Sequence, residues 1–398
     1  MIPAQDVVDL ALAAAANSGR AAETIVIVTD RSDASLRWAG NSMTTNGVAT
    51  SRSIAVISIV RHGDSAHVGS VRSSAADPAA ITALVAAAED AALTAPAAGD
   101  SAPLLTGSGE PADWGDPIPG TGAGAFAEVA RALSVGFGRS DTLYGFAHHI
   151  VETTFLATST GVRRRFVQPT GSVEINAKRD GASAWSGIST PWFLDVPIEA
   201  MLAELSRRLA WARRSVELPA GRYETLMPPS TVADMMIYLN WSMEGRGAQE
   251  GRTALSAPGG GTRVGETLTA LPLTLYSDPH APGLECAPFV HTASGSERIS
   301  LFDNGMDIGR VDWIRDGVIT ALAYPRAAAT EFGTSPAVPA DNLLMTGGSK
   351  DLAAMVAATE RGLLLTTLWY IRTVDPTTLL LTGLTRDGVY LVEDGEVT

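Results

Sequence analysis

The sequence predicts an α+β protein: an N-terminal domain of antiparallel strands with packed helices over 1–218, then a mainly β domain over 219–398. Three observations predict it. Alternating apolar runs are joined by short turn-rich spacers, which suit antiparallel neighbours because parallel strands need long crossovers. Helical periodicity is confined to segments ahead of Gly19, after Asp77-Pro78, over 196–215 and over 230–244. The last third alternates around Asp-Gly pairs, the strongest short-range hairpin signal. A chain of 398 residues, 45% hydrophobic and 18% charged, has ample material for two or three cores.

The opening "MIPAQDVVDLALAAAANSG" reads as an Ala-rich amphipathic helix closed by Gly19. Its acids, Asp6 and Asp9, and its lack of a basic leader argue against a secretory signal. Four strand-like runs follow, near 24–29, 34–40, 53–61 and 66–72, with Asp30–Asp33, Asn46-Gly47 and Gly63-Asp64 as spacers. Asp77 then caps a helix with Pro78 in its first turn, and Ile81, Leu84, Val85 and Ala88 share one face. Residues 95–124, rich in Pro, Gly, Ser and Asp, read as a surface loop. The "GTGAG" at 120–124 has no hydrophobic strand before it, so a phosphate-binding turn is not expected.

Strands return over 150–190, with hairpin turns expected at Ser159–Gly161 and Pro169–Gly171. Val173, Ile175 and Ala177 alternate with Glu174, Asn176 and Lys178, leaving one face wet. The helix over 196–215 buries Ile198, Met201, Leu202, Leu205 and Leu209, and with "VELPAGRY" forms the expected hinge between the domains. Near the end, "RVDWIRDGVITALAY" and "LTRDGVYLVEDGEV" each place Asp-Gly between apolar alternations.

A formal charge of −14 disfavours nucleic acid and anionic membranes as partners, since both reward a basic face. The lone Cys286 cannot form an internal disulfide, which favours a reducing compartment. The longest apolar stretch, 362–371, is half the roughly 20 residues a bilayer requires. A cytoplasmic location is therefore expected.

Familiar catalytic arrangements are absent. There is no Gly-x-Ser-x-Gly elbow and no Ser-x-x-Lys, and the two lysines, Lys178 and Lys350, leave little room for Schiff-base chemistry. "TGGSKDL" lacks phosphate-loop spacing and reads as Ser349 capping a helix; Cys286 reads as a small packed thiol. The six histidines never fall at the spacing by which one helix offers two imidazoles to zinc. His148 and His149, adjacent on a strand, point to opposite faces, so one packed and one exposed ring is the plain expectation. Yet "MMIYLNWSMEGRGAQEG" at 235–251 has the form of an active-site helix and loop without the groups that do chemistry.

Three stretches carry a resemblance: "STGVRRRFVQPTGSVEINAK" (159–178), "SERISLFDNGMDIGRVDWIRDGVITALAYPRAAATEFG" (296–333) and "LAAMVAATERGLLLTTLWYIRTVDPTTLLLTGLTRDGVYLVEDGEV" (352–397). Through them, from about residue 24 onward, the chain resembles the TldD/PmbA (TldE) family of modulators of DNA gyrase. The resemblance implies one half of a heterodimeric cytoplasmic metallopeptidase. In the TldD branch a helix carries His-Glu-x-x-x-His, followed by Glu-Gly and a later cysteine. Laid on this chain without gaps, Glu-Gly falls on Glu244-Gly245, and Ser256 and Val264-Gly265-Glu266 follow in step. The two histidine positions are then Met236 and Trp241, the general-base position Ile237 and the cysteine position Leu273.

A thioether, an indole and a leucine offer zinc at most one weak donor, and Ile237 cannot deprotonate water. The resemblance thus implies the TldE/PmbA branch: no catalytic residue and no metal in this chain, zinc in a TldD-like partner subunit, and a peptide or unfolded protein as substrate. Glu244 and Glu266 remain as candidates for holding substrate, a solvated helix-end acid being the plainer reading of Glu244. The resemblance also implies further chain beyond Thr398, whose absence would open a sheet edge and make folding dependent on a partner. Two other readings stand beside this one. One is a homodimeric peptide-binding scaffold without a protease partner. The other is a peptidase with unconventional ligands such as His280, Glu285 and His291.

Overall fold

The computed structural model describes residues 2–63, 65–194 and 196–398. Helix α1 (Ala4–Ser18) buries Val7, Val8, Ala11 and Ala15 and stops at Gly19, whose φ of 61° closes the last turn. Strands β1 (Glu23–Ala39), β2 (Ser42–His62) and β3 (Ser65–Ser73) form a meander. These are three strands, not the four expected. Asp30–Asp33 lies inside β1, and Asn46-Gly47 lies inside β2 opposite Leu36 and Ser35. The reason is tertiary: most of β1 has a partner on both sides, and Arg52 of β2 holds both carboxylate oxygens of Asp30 at 2.6 Å.

Helix α2 (Pro78–Thr94) starts as predicted, with the Asp77 carboxylate accepting the Ala80 N–H at 3.0 Å. A short helix not anticipated from sequence, α3 (Ala127–Gly136), ends the 95–124 loop region and buries Val129 and Leu133. Then come β4 (Thr142–Thr158), β5 (Arg163–Arg179), β6 (Ala182–Ser189) and helix α4 (Ile198–Trp211) with its predicted apolar stripe buried. Ser159–Gly161 does turn the chain from β4 into β5. Pro169–Gly171 does not: it continues β5 opposite Val151, Ile150 and His149.

The six strands form one antiparallel sheet in the order β3-β2-β1-β4-β5-β6. All four helices cover one face. Helices α1 and α2 pack on Val26, Val28, Ile54, Val56 and Phe155, and α3 and α4 on Leu36, Trp38, Ala147, Val173 and Ile175. The opposite face carries Ile25, Ile27, Ile57, Ile59 and Leu156, and there the C-terminal part of the chain docks through Phe289 and Phe302. Pleating makes both layers possible, because alternate residues of one strand feed opposite cores.

That C-terminal part contains β7 (Thr225–Leu226), α5 (Pro229–Ser242), α6 (Gly245–Gln249), β8 (Thr274–Ser277), β9 (Val311–Arg315) and β10 (Val318–Ile319). It continues with α7 (Arg326–Glu331), β11 (Leu344–Thr346), α8 (Leu352–Ala357), β12 (Arg361–Leu365), β13 (Leu368–Asp375), β14 (Leu380–Thr385), β15 (Val389–Glu393) and β16 (Glu396–Val397). They form sheets β10-β9-β8-β11 and β16-β15-β12-β7 and a two-stranded ribbon, β13-β14. Asp316-Gly317 (φ 49° and 79°) and Asp394-Gly395 (φ 51° and 80°) make the predicted tight hairpins. Asp387-Gly388 makes none, because β14 pairs back to β13 while β15 joins β12. The cap of α8 is Asp351, which accepts the Ala354 N–H at 2.7 Å, and not Ser349. Among the described residues, no helix is long and apolar enough to cross a membrane.

Candidate functional site

Helix α5 organises the site because three of its faces do different things. Met236 and Leu239 pack onto the core built by Met243, Trp313, Leu322, Ala323 and Tyr324. Ile237, Asn240 and Trp241 line a cavity of about 530 Å³. Tyr238 turns towards the ribbon and donates its hydroxyl to the Ile371 carbonyl at 2.7 Å, with its ring edge-on to Trp241. Trp241 also borders a second cavity of about 760 Å³, shared with Glu244, Arg252 and Thr377, and keeps 53% of its surface exposed.

The helix is stopped by Glu244-Gly245. Gly245 donates to the Ala323 carbonyl at 2.9 Å, and Ala323 donates to Met243 at 2.8 Å, a short parallel bridge that pins the chain. Only glycine fits: a Cβ at Gly245 would lie 2.1 Å from the Tyr324 ring. Glu244 is half-buried, and burial together with the neighbouring Glu297 raises its carboxyl above the usual range, opposed by Arg252 and Arg298.

The cavity wall opposite α5 comes from the loop between Ala287 and Ile308. The Phe302-Asp303-Asn304-Gly305 stretch holds that loop in place. Asn304 donates to the carbonyls of Thr292 and Leu301 at 2.8 and 2.9 Å and accepts the Thr292 N–H at 2.7 Å. Asp303, fully buried, takes the Arg326 Nε at 2.7 Å and its backbone N–H at 3.1 Å. So fixed, the loop presents His291 and Arg298 to the cavity. The His291 ring is open to the cavity, but the walls crowd it enough to lower its pKa and favour the neutral form. Arg298 donates through Nη2 to the Asn240 Oδ1 at 2.7 Å.

The positions singled out by the sequence are not gathered at one point. Trp241 and Ile237 line the first cavity, while Met236 belongs to the core. Leu273 precedes β8, lies against Gly347 and lines no described cavity. Glu244 borders the second cavity, whereas Glu266 sits at the surface in an ion pair with Arg263 at 2.8 Å. Of the alternative ligands, His291 faces the first cavity, Glu285 borders a groove beside β5, and exposed His280 lines neither. Among the described residues, no three His, Cys, Asp or Glu side chains form a group able to hold a metal. A zinc ion does not fit the donor set at Met236, Ile237, Trp241 and Leu273, which is carbon, one thioether and one indole.

His149 is the packed member of its pair, between the Thr121 hydroxyl at 2.6 Å and the Pro191 carbonyl at 2.9 Å. His148 meets Asp33 at 2.9 Å on the other face. Cys286 is buried, and burial pushes its thiol up to about 11, so it is a packing group and not a nucleophile at neutral pH. The residues sequence reasoning missed are Asn240 and Arg298; His291 was named only as an alternative metal ligand. Arg298 lies in the 296–333 stretch, but nothing local marks it as facing Asn240, 58 positions away.

A groove of about 380 Å³ adjoins the first cavity and shares Asp341 and Asn342 with it. One wall is Phe166–Gly171 of β5; β6 ends opposite Ser172 and the Gly171 carbonyl accepts the Thr190 N–H at 2.9 Å, so the outer edge has no backbone partner among the described residues only up to Thr170.

Residues 220–398 match the model of the PmbA/TldA metallopeptidase C-terminal domain. Among curated protein sequences, none matches the chain. TldE from Thermococcus kodakarensis has a similar structure, with a TM-score of 0.78 at 14% identity over 99% of this chain and 88% of that one. A protein from Bacteroides thetaiotaomicron described as a modulator of DNA gyrase is similar at TM-score 0.76 and 15% identity, covering 100% of this chain and 89% of that one. A Thermotoga maritima protein so described gives 0.74 and 15%, covering 99% and 89%. At these identities the likeness shows a shared fold.

Proposed function

From a chain that belongs, through residues 220–398, to the TldD/PmbA family of metallopeptidase-related proteins, we propose that it is the metal-free, peptide-holding subunit of a two-chain peptidase. The observation that carries this reading is the content of α5 and its surroundings. Met236, Trp241 and Leu273 stand where the resemblance puts zinc ligands, and Ile237 where it puts the base. No water can be activated there without a lone-pair donor set and a carboxylate.

What the chain itself would contribute is binding. The free edge of β5 at Arg163–Thr170 offers backbone groups to an extended peptide, a mode of recognition that needs no particular side chain. The adjoining cavity gives apolar walls, Ile237, Phe289, Val290 and Leu343, to a side chain entering from that edge. The ribbon β13-β14 leaves Trp369, Tyr370, Val374, Leu380 and Leu384 exposed, a cluster suited to a zinc-bearing TldD-like partner.

The test is to purify the chain alone and with a TldD-like chain carrying His-Glu-x-x-x-His. Alone it should hold no stoichiometric zinc and leave an unfolded protein uncleaved; with the partner, cleavage should appear. Stoichiometric zinc together with peptidase activity in the lone chain would overturn the reading. A stable homodimer that ignores every TldD-like chain would instead favour a peptide-binding scaffold.

A further inference from the structure

The guanidinium of Arg298 is withdrawn into the wall of the α5 cavity and has no carboxylate within ion-pair distance among the described residues. Glu244 is near enough to favour its charge without pairing with it. Its one side-chain hydrogen bond goes to Asn240, a residue only 6% exposed. That leaves the Arg298 Nε and the Asn240 Nδ2 both sealed from water with no acceptor among the described residues. Two orphaned donors on neighbouring side chains, one of them cationic, are costly in that wall, and a carboxylate in the cavity relieves the cost once the Arg298 and Asn240 side chains turn these N–H groups towards it.

The remainder of the cavity defines what comes with that acceptor. Ile237, Trp241, Phe289, Val290, Ile299 and Leu343 are apolar, and the volume of about 530 Å³ is in the range of small-ligand sites. Asp341, which also borders the cavity, is exposed on the ridge shared with the β5 groove, where water screens its charge.

We propose that this cavity is a carboxylate pocket, in which Arg298, backed by Asn240, takes the C-terminal carboxylate of a peptide whose last side chain is apolar. The planar guanidinium suits a two-oxygen acceptor, and the greasy walls suit the terminal side chain. The proposal rests on the peptide-holding reading and adds which end of the peptide is held, and by what.

The experiment is calorimetric titration of the full chain with three peptides: N-acetyl-Gly-Ala-Leu as free acid, the same peptide as C-terminal amide, and N-acetyl-Glu-Ala-Leu-amide. The free acid should bind about 10- to 100-fold more tightly than either amide, the span expected of a charge-assisted hydrogen bond. Arg298→Gln should abolish the preference and Arg298→Lys retain part of it, with thermal melts confirming that both variants fold. Equal binding of acid and amide, a preference that survives Arg298→Gln, or no binding of any peptide would overturn the pocket. Binding of the Glu-containing amide as tight as the free acid would replace the terminus by an acidic side chain and overturn it too. None of these outcomes depends on zinc content or on partner-restored cleavage, so the subunit reading stands or falls separately.

Discussion

Two acids near α5 show how far residue chemistry reaches. Asp303 has no exposed surface, and among the described residues its carboxylate serves only the Arg326 side chain and backbone. Asp303→Ala would leave a guanidinium without its counter-charge in the wall of the cavity loop. A loss of about 3 kcal/mol is expected, read from the shift of the urea unfolding midpoint. Glu244 acts in the opposite sense. Its folded pKa is raised, so the folded protein prefers the protonated acid; ionisation above the unfolded value of about 4.3 therefore removes stability as pH rises through the folded value. Glu244→Gln should raise the melting temperature at pH 7 and cease to do so below about pH 4; a variant less stable at pH 7 would contradict this. The resemblance marked Glu244, through the Glu-Gly pair that falls on Glu244-Gly245. It could not mark Arg298 or Asn240, whose meaning lies in a contact between an otherwise ordinary loop and helix.

At the level of elements, what was legible is what the chain decides locally. The Asp77 cap, the Gly19 stop, the stripe of α4 and the Asp394-Gly395 hairpin need only neighbouring residues. Helix α3 was not anticipated: Phe126, Val129 and Leu133 recur at helical spacing, but the Pro- and Gly-rich run before it masked the pattern. Asn46-Gly47, Pro169–Gly171 and Asp387-Gly388 carry equally good turn chemistry and make no hairpin. There a long partner strand, or a partner from elsewhere in the chain, outweighs a preference of the order of 1 kcal/mol. One junction between elements is tighter than any pattern could reveal. A Cβ on Gly69 of β3 would lie 2.1 Å from the Ala88 carbonyl oxygen and 2.4 Å from the Ala92 nitrogen of α2. Gly69→Ala must push the helix off the sheet, and a loss of about 3 kcal/mol is expected in chemical denaturation. A variant as stable as the parent would show that α2 sits less closely on β3.

For the molecule as a whole, four helices pack on one face of the central sheet and the Phe289–Phe302 layer covers the other around Ile25, Ile57 and Leu156, while Ser42–Ser51 of β2 stays exposed. Five exposed large apolar side chains, Trp369, Tyr370, Val374, Leu380 and Leu384, gather on the β13-β14 ribbon, which is anchored to α5 by the Tyr238–Ile371 hydrogen bond and borders the Trp241 cavity. A contact made on the ribbon would therefore be felt at α5, the helix that carries Ile237, Asn240 and Trp241. Leu384 is 61% exposed, so Leu384→Asp removes little buried area and should leave the melting temperature of the lone chain within about 2 °C of the parent. Set in an interface, the same aspartate would be a desolvated, unpaired charge, and affinity for a zinc-bearing partner should fall at least about tenfold. Sedimentation of the mixed chains measures the second effect and calorimetry the first. Unchanged association would move the partner surface elsewhere, and a large drop in melting temperature would mean that Leu384 supports the fold of the chain itself.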